Sequence, residues 1–261
     1  MKAALKFIVP LAIGIAVLAV WEISVRAYDV PLFVLPPPSA IAAALTENFA
    51  SLMQSLGNTL TITLQACLVA FAAGTLLAVL FSQSKLAELA LYPYAVMLQV
   101  TPIFAIAPLV LIWVGYEHVA LAQLILASTV AFFPILTNMT LGLRATDKNL
   151  IDLFRLHGAN RWQILLRLRA PTALPYLLTA VKTAGGLALV GTIIAEFVAG
   201  SGTATGLGWR ILESSYRLEI PKMFAALALI ILTGLAIFWG LSFIEWALLR
   251  RWHESRLADK S

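Results

Sequence analysis

The sequence predicts an all-α polytopic membrane protein with six transmembrane helices, and three observations carry that prediction. Of 261 residues, 61% are hydrophobic and 12% charged, with a mean hydropathy of +0.91. Soluble domains run at about 45–50% apolar and about 25% charged, so this chain lacks the polar residues to cover a globule in water. The second observation is a set of long charge-free intervals. The third is an uneven distribution of Lys and Arg over the segments between them. The composition argues against a soluble enzyme and equally against disorder, because disordered chains are polar and charge-rich. The single cysteine, Cys67, permits no intrachain disulfide and says nothing about compartment.

About 20 apolar residues, at 1.5 Å rise each, cross a hydrocarbon layer of about 30 Å. The charge-free intervals are 37 positions between Glu47 and Lys85, 28 between Glu88 and Glu117, 25 between His118 and Arg144, and 22 between Lys222 and Glu245. Two further stretches each carry one charge, Glu22 in the first and Lys182 in the fifth. The expected spans are therefore 7–25, 59–82, 91–114, 119–142, 172–197 and 223–247, forming a single transmembrane domain. The first stretch follows Lys2 and Lys6, as in a secretory signal. Ala19-Val20-Trp21-Glu22 offers no small-residue cleavage pattern, however, and the stretch is long for a signal, so an uncleaved helix is expected.

Lys and Arg concentrate on the cytoplasmic side of membrane proteins. With six spans both ends share one side. That side receives thirteen cations: Lys2, Lys6, Lys85, Arg144, Lys148, Arg155, Arg161, Arg167, Arg169, Arg250, Arg251, Arg256 and Lys260. The other receives four, namely Arg26, Arg210, Arg217 and Lys222. Both termini are thus expected in the cytoplasm. The net charge of +5 is a topology signal, and nucleic-acid binding has no support.

On the outer side, Leu35-Pro36-Pro37-Pro38-Ser39 favours extended structure. Ser39 is the expected N-cap of a short helix through Ile41, Leu45, Phe49, Leu52 and Leu56, with Gly57 as its stop. Such a helix either lies on the membrane or packs on the bundle. The stretch Gly200-Ser201-Gly202-Thr203-Ala204-Thr205-Gly206-Leu207-Gly208 has no Lys and does not make a P-loop. It reads as a flexible loop before a helix at 209–220, with Glu213 and Arg217 paired at i, i+4 and Pro221 as the terminator.

The segment 144–170 is the one long polar stretch between spans on the cytoplasmic side. Asp147 is expected to cap a helix through Leu150, Ile151, Phe154 and Leu156; Gly158 allows a turn; a second helix from Asn160 leads to Pro171 and Pro175. Exposed Leu153, Phe154 and Trp162 suggest docking of a partner, with an amphipathic helix resting on the bilayer as the other reading.

Asp152-Leu153-Phe154-Arg155-Leu156-His157-Gly158-Ala159-Asn160, continuing to Leu168-Arg169-Ala170-Pro171, resembles the EAA motif of permease subunits of binding-protein-dependent ATP-binding-cassette (ABC) importers. Gly158, Ala159, Pro171 and Pro175 match that pattern, whereas Asp152 stands where Glu is usual and Leu153 and Phe154 replace two alanines. Leu35–Ser39, Thr101-Pro102 to Pro108-Leu109, and Ile194-Ala195-Glu196-Phe197 look like the nitrate, sulfonate and taurine branch, which also includes permeases for vitamin precursors and aromatic acids. The resemblance implies a type I importer permease fold and a homodimer in the inner membrane. It also implies two cytosolic ATPase subunits, which carry ATP and Mg, and an extracytoplasmic solute-binding protein. Asp152, Leu153, Phe154, Arg155, His157, Gly158, Ala159 and Pro171 would then form the coupling segment.

Polar residues at membrane depth are the default pathway candidates: Gln99, Thr101, Thr137, Asn138, Thr192 and Glu196. The competing reading is that they bond neighbouring helices. Lys182 is expected to snorkel to the cytoplasm, and Gly185, Gly186 and Gly191 to permit close packing or a bend. An embedded enzyme has little support: His118, His157 and His253 lie outside the spans or at their edges, and no His/Cys/Asp/Glu cluster has metal-ligand spacing. No catalytic residue, metal site or cofactor is expected on this chain. An ion-coupled secondary transporter or channel remains the alternative, with Glu22, Glu196 and Glu245 as the carboxylates near membrane depth.

Overall fold

A computed structural model describes residues 2–199 and 205–250, with side chains from Ile8 onward. Lys2, Lys6, Arg251, Arg256, Lys260 and His253, and the loop residues 200–204, lie outside what it describes in side-chain detail. Every element among the described residues is helical. Five helices are long and apolar enough to cross a membrane, and a sixth crossing is made if one bent pair counts as a single span.

The chain opens with α1 (Lys2–Ala27) and passes through the prolines into α2 (Pro38–Glu47). The sequence placed a helix start at Ser39 and a stop at Gly57; the structure differs at both. Pro37 is the N-cap, Pro38 takes the first helical turn where its missing N–H costs nothing, and the helix ends at Asn48. There α3 (Phe49–Gln83) begins and runs through Gly57 without interruption. A glycine in mid-helix is tolerated when packing holds the helix on both sides, and Leu52 is fully buried one turn before it.

The expected span 91–114 is two helices, α4 (Lys85–Val100) and α5 (Ile103–Val114), bent by 104° at Thr101-Pro102. Proline disfavours the helical region for the residue before it, and Thr101 accordingly sits at φ −70°, ψ 124°. After a short turn at Tyr116–His118, α6 (Val119–Arg144) returns across the bundle. Glu88 at the start of α4 ion-pairs with Arg144 at the end of α6, which closes this corner.

Next come α7 (Lys148–Leu156), α8 (Arg161–Ile164), a π-helical turn (Leu165–Arg169) and α9 (Ala170–Ala199). The last three form one continuous 39-residue helix, Arg161–Ala199. Pro171 was expected to separate a short helix from the span 172–197 and instead lies inside one continuous helix, as does Pro175, which the expected span already contained. The π turn is the accommodation: the Ala170 N–H reaches back five residues to the Leu165 carbonyl, loosening the ladder just where Pro171 has no N–H to give. The chain ends with α10 (Leu207–Tyr216) and α11 (Ile220–Leu249). Pro221 is in the first turn of α11 rather than terminating α10.

The core is built from α3, α6 and α9, which meet through Ala66, Ala70, Ala127, Ala131, Ala180, Ala184 and Ala188 around Ile135. Small side chains let backbones approach closely, the main source of helix association in lipid. Gly142 faces the Ala173 Cα, where an added Cβ would sit 2.9 Å away, and Gly191 faces the Ala127 Cα at the same distance. Gly185 abuts Leu241 of α11, whereas Gly186 faces open space. The peripheral α1 packs chiefly on α2, where Glu22 accepts hydrogen bonds from the Ser39 N–H (3.0 Å) and hydroxyl (2.8 Å) and pairs with Arg26. Ser39 is therefore a tether to α1 and not a cap.

Gly142→Ala is expected to lower the melting temperature of the purified protein in detergent, at a cost of about 1–3 kcal/mol for overpacking. Gly57→Ala, with nothing within 4 Å of its new methyl, should leave the melting temperature unchanged or raise it.

Candidate functional site

Two ends of the bundle and one cleft between them hold the polar chemistry. At one end, α7 is short and strongly two-faced. Asp147 caps it by accepting from the Asn149 N–H at 2.8 Å, as its spacing predicted. Gly158 turns the chain at φ +76°, in the left-handed region that favours glycine. Asn160 and Gln163 then form a reciprocal capping box at the start of α8, each side chain accepting from the other's backbone N–H at 2.8 Å.

This frame displays a group of apolar side chains to solvent: Leu153 is 47% exposed, Leu156 85% and Trp162 63%. Between α7 and α8 lies a notch of about 440 Å³ lined by Leu153, Phe154, His157, Gly158, Ala159, Gln163 and Arg167. His157 Nδ1 lies 2.8 Å from the Leu153 carbonyl. Asp152 and Arg155 form an exposed pair beside the notch. The structure thus brings together every residue expected in the segment except Pro171, which stands on α9 and shapes that helix.

At the opposite end, α2 and α10 pack over α3 and α11 through Leu52, Leu207, Ala225, Ala226 and Leu229. The organising group is Glu196, 1% exposed. Its carboxyl accepts from the Gly208 N–H at 2.7 Å and from the Thr59 hydroxyl at 2.8 Å, and Thr59 Oγ1 in turn accepts from the Leu207 N–H at 2.9 Å. Asn58 donates to the Thr205 carbonyl (3.0 Å) and Arg210 to the Ser55 hydroxyl (2.9 Å). The start of α10 is thereby tied to α3 and α9. Gly206 and Gly208 permit it: a Cβ at Gly206 would collide with the Glu196 carboxyl, and one at Gly208 would come within 2.9 Å of it.

The pathway candidates fall into two groups. Gln99 and Thr101 line a cleft of about 310 Å³ at the α4–α5 break, with Thr129, Val130, Pro134, Leu187 and Ile194. Thr192 and Glu196 do not open onto it. Thr192 is fully buried, accepting from the Thr63 hydroxyl and donating to the Ala188 carbonyl, so it joins helices as Glu196 does. Thr137 and Asn138 bond carbonyls of their own helix, at Phe133 and Pro134. Lys182 Nζ pairs with Glu245 near the C-terminal end of α11 at 2.7 Å and lies over the Phe238 ring. An opposite charge 63 positions away left no local signal for that pairing, and the same holds for Glu196 with Gly208 across a loop.

On α10, Glu213 pairs with Arg210 (2.8 Å) and with Arg217 (3.0 Å), the latter at the predicted i, i+4 spacing. Burial alone would push the Glu213 carboxyl up. The hydrogen bond from Arg210 and the charges of Arg210, Arg217 and Lys222 outweigh it and hold the group below its ordinary value.

An apolar helical bundle with a cleft at a broken span, and with an exposed two-faced helix at one end, has the architecture of a membrane transport subunit. Its residues 70–250 match the family described as "Binding-protein-dependent transport system inner membrane component", and the chain belongs to that family. It is 28% identical over 246 residues to a probable ABC transporter permease protein of Haemophilus influenzae, covering 94% of this chain and 97% of that one. It is 32% identical over 240 residues to the riboflavin transport system permease protein RibX of Chloroflexus aurantiacus, covering 91% and 87%. Relatives named for formylaminopyrimidine, aliphatic sulfonate and taurine transport also match. A crystal structure of an amino acid ABC transporter with histidines shares the fold at a TM-score of 0.65 and 19% identity, over 78% of this chain and 96% of that one. The protein is accordingly an importer permease, a non-enzymatic transport component of a family that works with an ATPase and a binding protein.

Replacing Glu196 by Ala leaves the Gly208 N–H and Thr59 without their acceptor, at about 1–3 kcal/mol for each buried group. The expected result is faster amide exchange across 205–216 with exchange in α6 unchanged. Glu213→Gln should cost stability near neutral pH. Because the folded Glu213 titrates below its unfolded value, its contribution is present above the unfolded pKa and lost as pH falls through the folded one. The difference in melting temperature between wild type and Glu213→Gln should therefore close as the pH drops below ~4.3.

Proposed function

We propose that two copies of this chain form the translocation pathway of an ATP-driven importer, with both termini in the cytoplasm and the α2/α10 end facing outward. The apolar display of Leu153 and Leu156 on α7 and Trp162 on α8, both capped helices, carries this reading. Apolar side chains at an aqueous surface mark a docking site, and the end that bears them also bears most of the cations. Asp152, Leu153, Phe154, Arg155, His157, Gly158 and Ala159 seat an ATPase subunit on each copy, Asp152 serving where the family pattern has Glu. ATP and Mg belong to that partner. Within this chain the work is mechanical: α7 and α8 receive the displacement, and the 39-residue helix that begins at Arg161 carries it to the outer end.

An extracytoplasmic binding protein delivers the solute to the α2/α10 face, and the solute passes Gln99 and Thr101 at the α4–α5 break. The relatives' names favour a small organic solute of the vitamin-precursor or sulfonate kind. Most selectivity then resides in the binding protein, since the cleft offers one amide and two hydroxyls among apolar walls.

The test is co-expression with the ATPase encoded beside this chain and purification through a tag on this chain alone. The ATPase is expected to co-purify, and Asp152→Lys combined with Gly158→Val should release it while the permease stays folded. Uptake that persists without any ATPase would overturn the reading in favour of an ion-coupled carrier.

A further inference from the structure

At the end of the bundle that bears α7, a second cavity of about 400 Å³ lies on the other side of that helix from the apolar notch. Its lining includes Ser82, Gln83, Arg155, Arg161 and Arg169, and no carboxylate. Three guanidinium groups around one cavity repel one another unless an anion joins them.

The local partners do not neutralise them. Arg155 shares its charge with Asp152 at 3.3 Å, both side chains 65% exposed, which is a weak surface pair. Among the described residues no carboxylate is ion-paired with Arg161 or Arg169. Arg169 donates through Nη1 to the Ser82 carbonyl at 3.3 Å, while its Nε is buried and has no acceptor. A buried donor without a partner costs free energy, and a ligand oxygen in the cavity would supply what the chain does not. Arg167 lines the notch, not this cavity; the other acids of this corner, Glu88 and Asp147, are occupied by Arg144 with Lys85 and by the cap of α7.

Depth identifies the anion. Ser82 and Gln83 are the last residues of α3, and Arg169 stands at the foot of α9 in the π turn. The cavity therefore sits where spans end, at headgroup level. Arginine forks match phosphate oxygens in a bidentate way, and basic pockets between spans at the cytoplasmic surface take phosphorylated headgroups.

We propose that Arg161, Arg169 and Arg155 form a site for a phosphate group, supplied by the headgroup of an anionic phospholipid, which packs behind α7 and steadies the segment Lys148–Arg169. This rests on the cytoplasmic placement of that end proposed above.

The test uses the full chain in nanodiscs of phosphatidylcholine with or without phosphatidylglycerol, and in detergent with inorganic phosphate. Native mass spectrometry and the melting temperature are the readouts. Wild type should retain phosphatidylglycerol and melt higher with it. Arg161→Gln with Arg169→Gln should weaken retention roughly thirtyfold, about fivefold for each cation, and Arg217→Gln at the opposite end should leave it unchanged. If the double variant does not insert, the exposed single change Arg161→Gln gives the same comparison at about fivefold. Stabilisation by inorganic phosphate alone, lost in the same variants, upholds the site with the free ion as its source. Equal lipid and phosphate effects in wild type and the Arg161 variants overturn it. None of these arms involves the ATPase, so failure of the docking reading would register only in co-purification.

Discussion

The constraint on which the rest of this structure depends is that polar groups taken into a bundle within hydrocarbon have no water to fall back on. Glu196 shows how the fold meets it. A carboxyl group at 1% exposure is tolerable because it collects the Gly208 N–H and the Thr59 hydroxyl. The same arrangement serves α10, whose first N–H groups would otherwise lack acceptors. Glu22 repeats the device at the start of α2, receiving the Ser39 N–H and hydroxyl. Both α2 and α10 are thus held at the N-terminal end by a glutamate from a long helix, where the positive end of the helix dipole favours a carboxylate.

From these anchors the architecture is a stiff block with attachments at both ends. The alanine contacts among α3, α6 and α9 leave little room for sliding, and Gly142 and Gly191 let α6 and α9 approach where even a methyl group would clash. The continuous helix Arg161–Ala199 crosses this block. At 1.5 Å per residue it is about 58 Å long, reaching from the α7–α8 notch to the Glu196 clamp. Displacement at the notch therefore has a direct mechanical route to the opposite end of the bundle. Its one soft point is the π turn at Leu165–Arg169, where the hydrogen-bond ladder is already loosened ahead of Pro171.

Much of this was legible from residues close together in sequence. The cap at Asp147, the helix start at Asn160, the Gly158 turn and the Glu213–Arg217 pair all depend on neighbours within about one helical turn, so the local pattern contains the whole interaction. Prolines were read less well. Pro171 and Pro221 announced helix ends, yet both lie within helices, because a π turn absorbs the first and a helix start accommodates the second. The partner of Lys182 was illegible for a different reason: its counter-charge, Glu245, arrives from α11, and no local spacing encodes which helices become neighbours.

The sequence by itself determined that the chain lives in lipid, which stretches are apolar enough to cross, how the cations are shared among the segments between them, and where an exposed two-faced helix sits. These follow from composition and period, which the solvent reads directly. The tertiary structure alone decided which polar residues face an opening and which hold the bundle together. Gln99 and Thr101 line a cleft, whereas Thr192 and Glu196 are consumed by Thr63, Thr59 and Gly208. A hydroxyl or carboxyl at membrane depth looks the same in either role until its partner is known. That partner is set by helix packing, which joins positions from 12 residues apart, as for Gly208 and Glu196, to more than 100, as for Thr59 and Thr63 with Glu196 and Thr192.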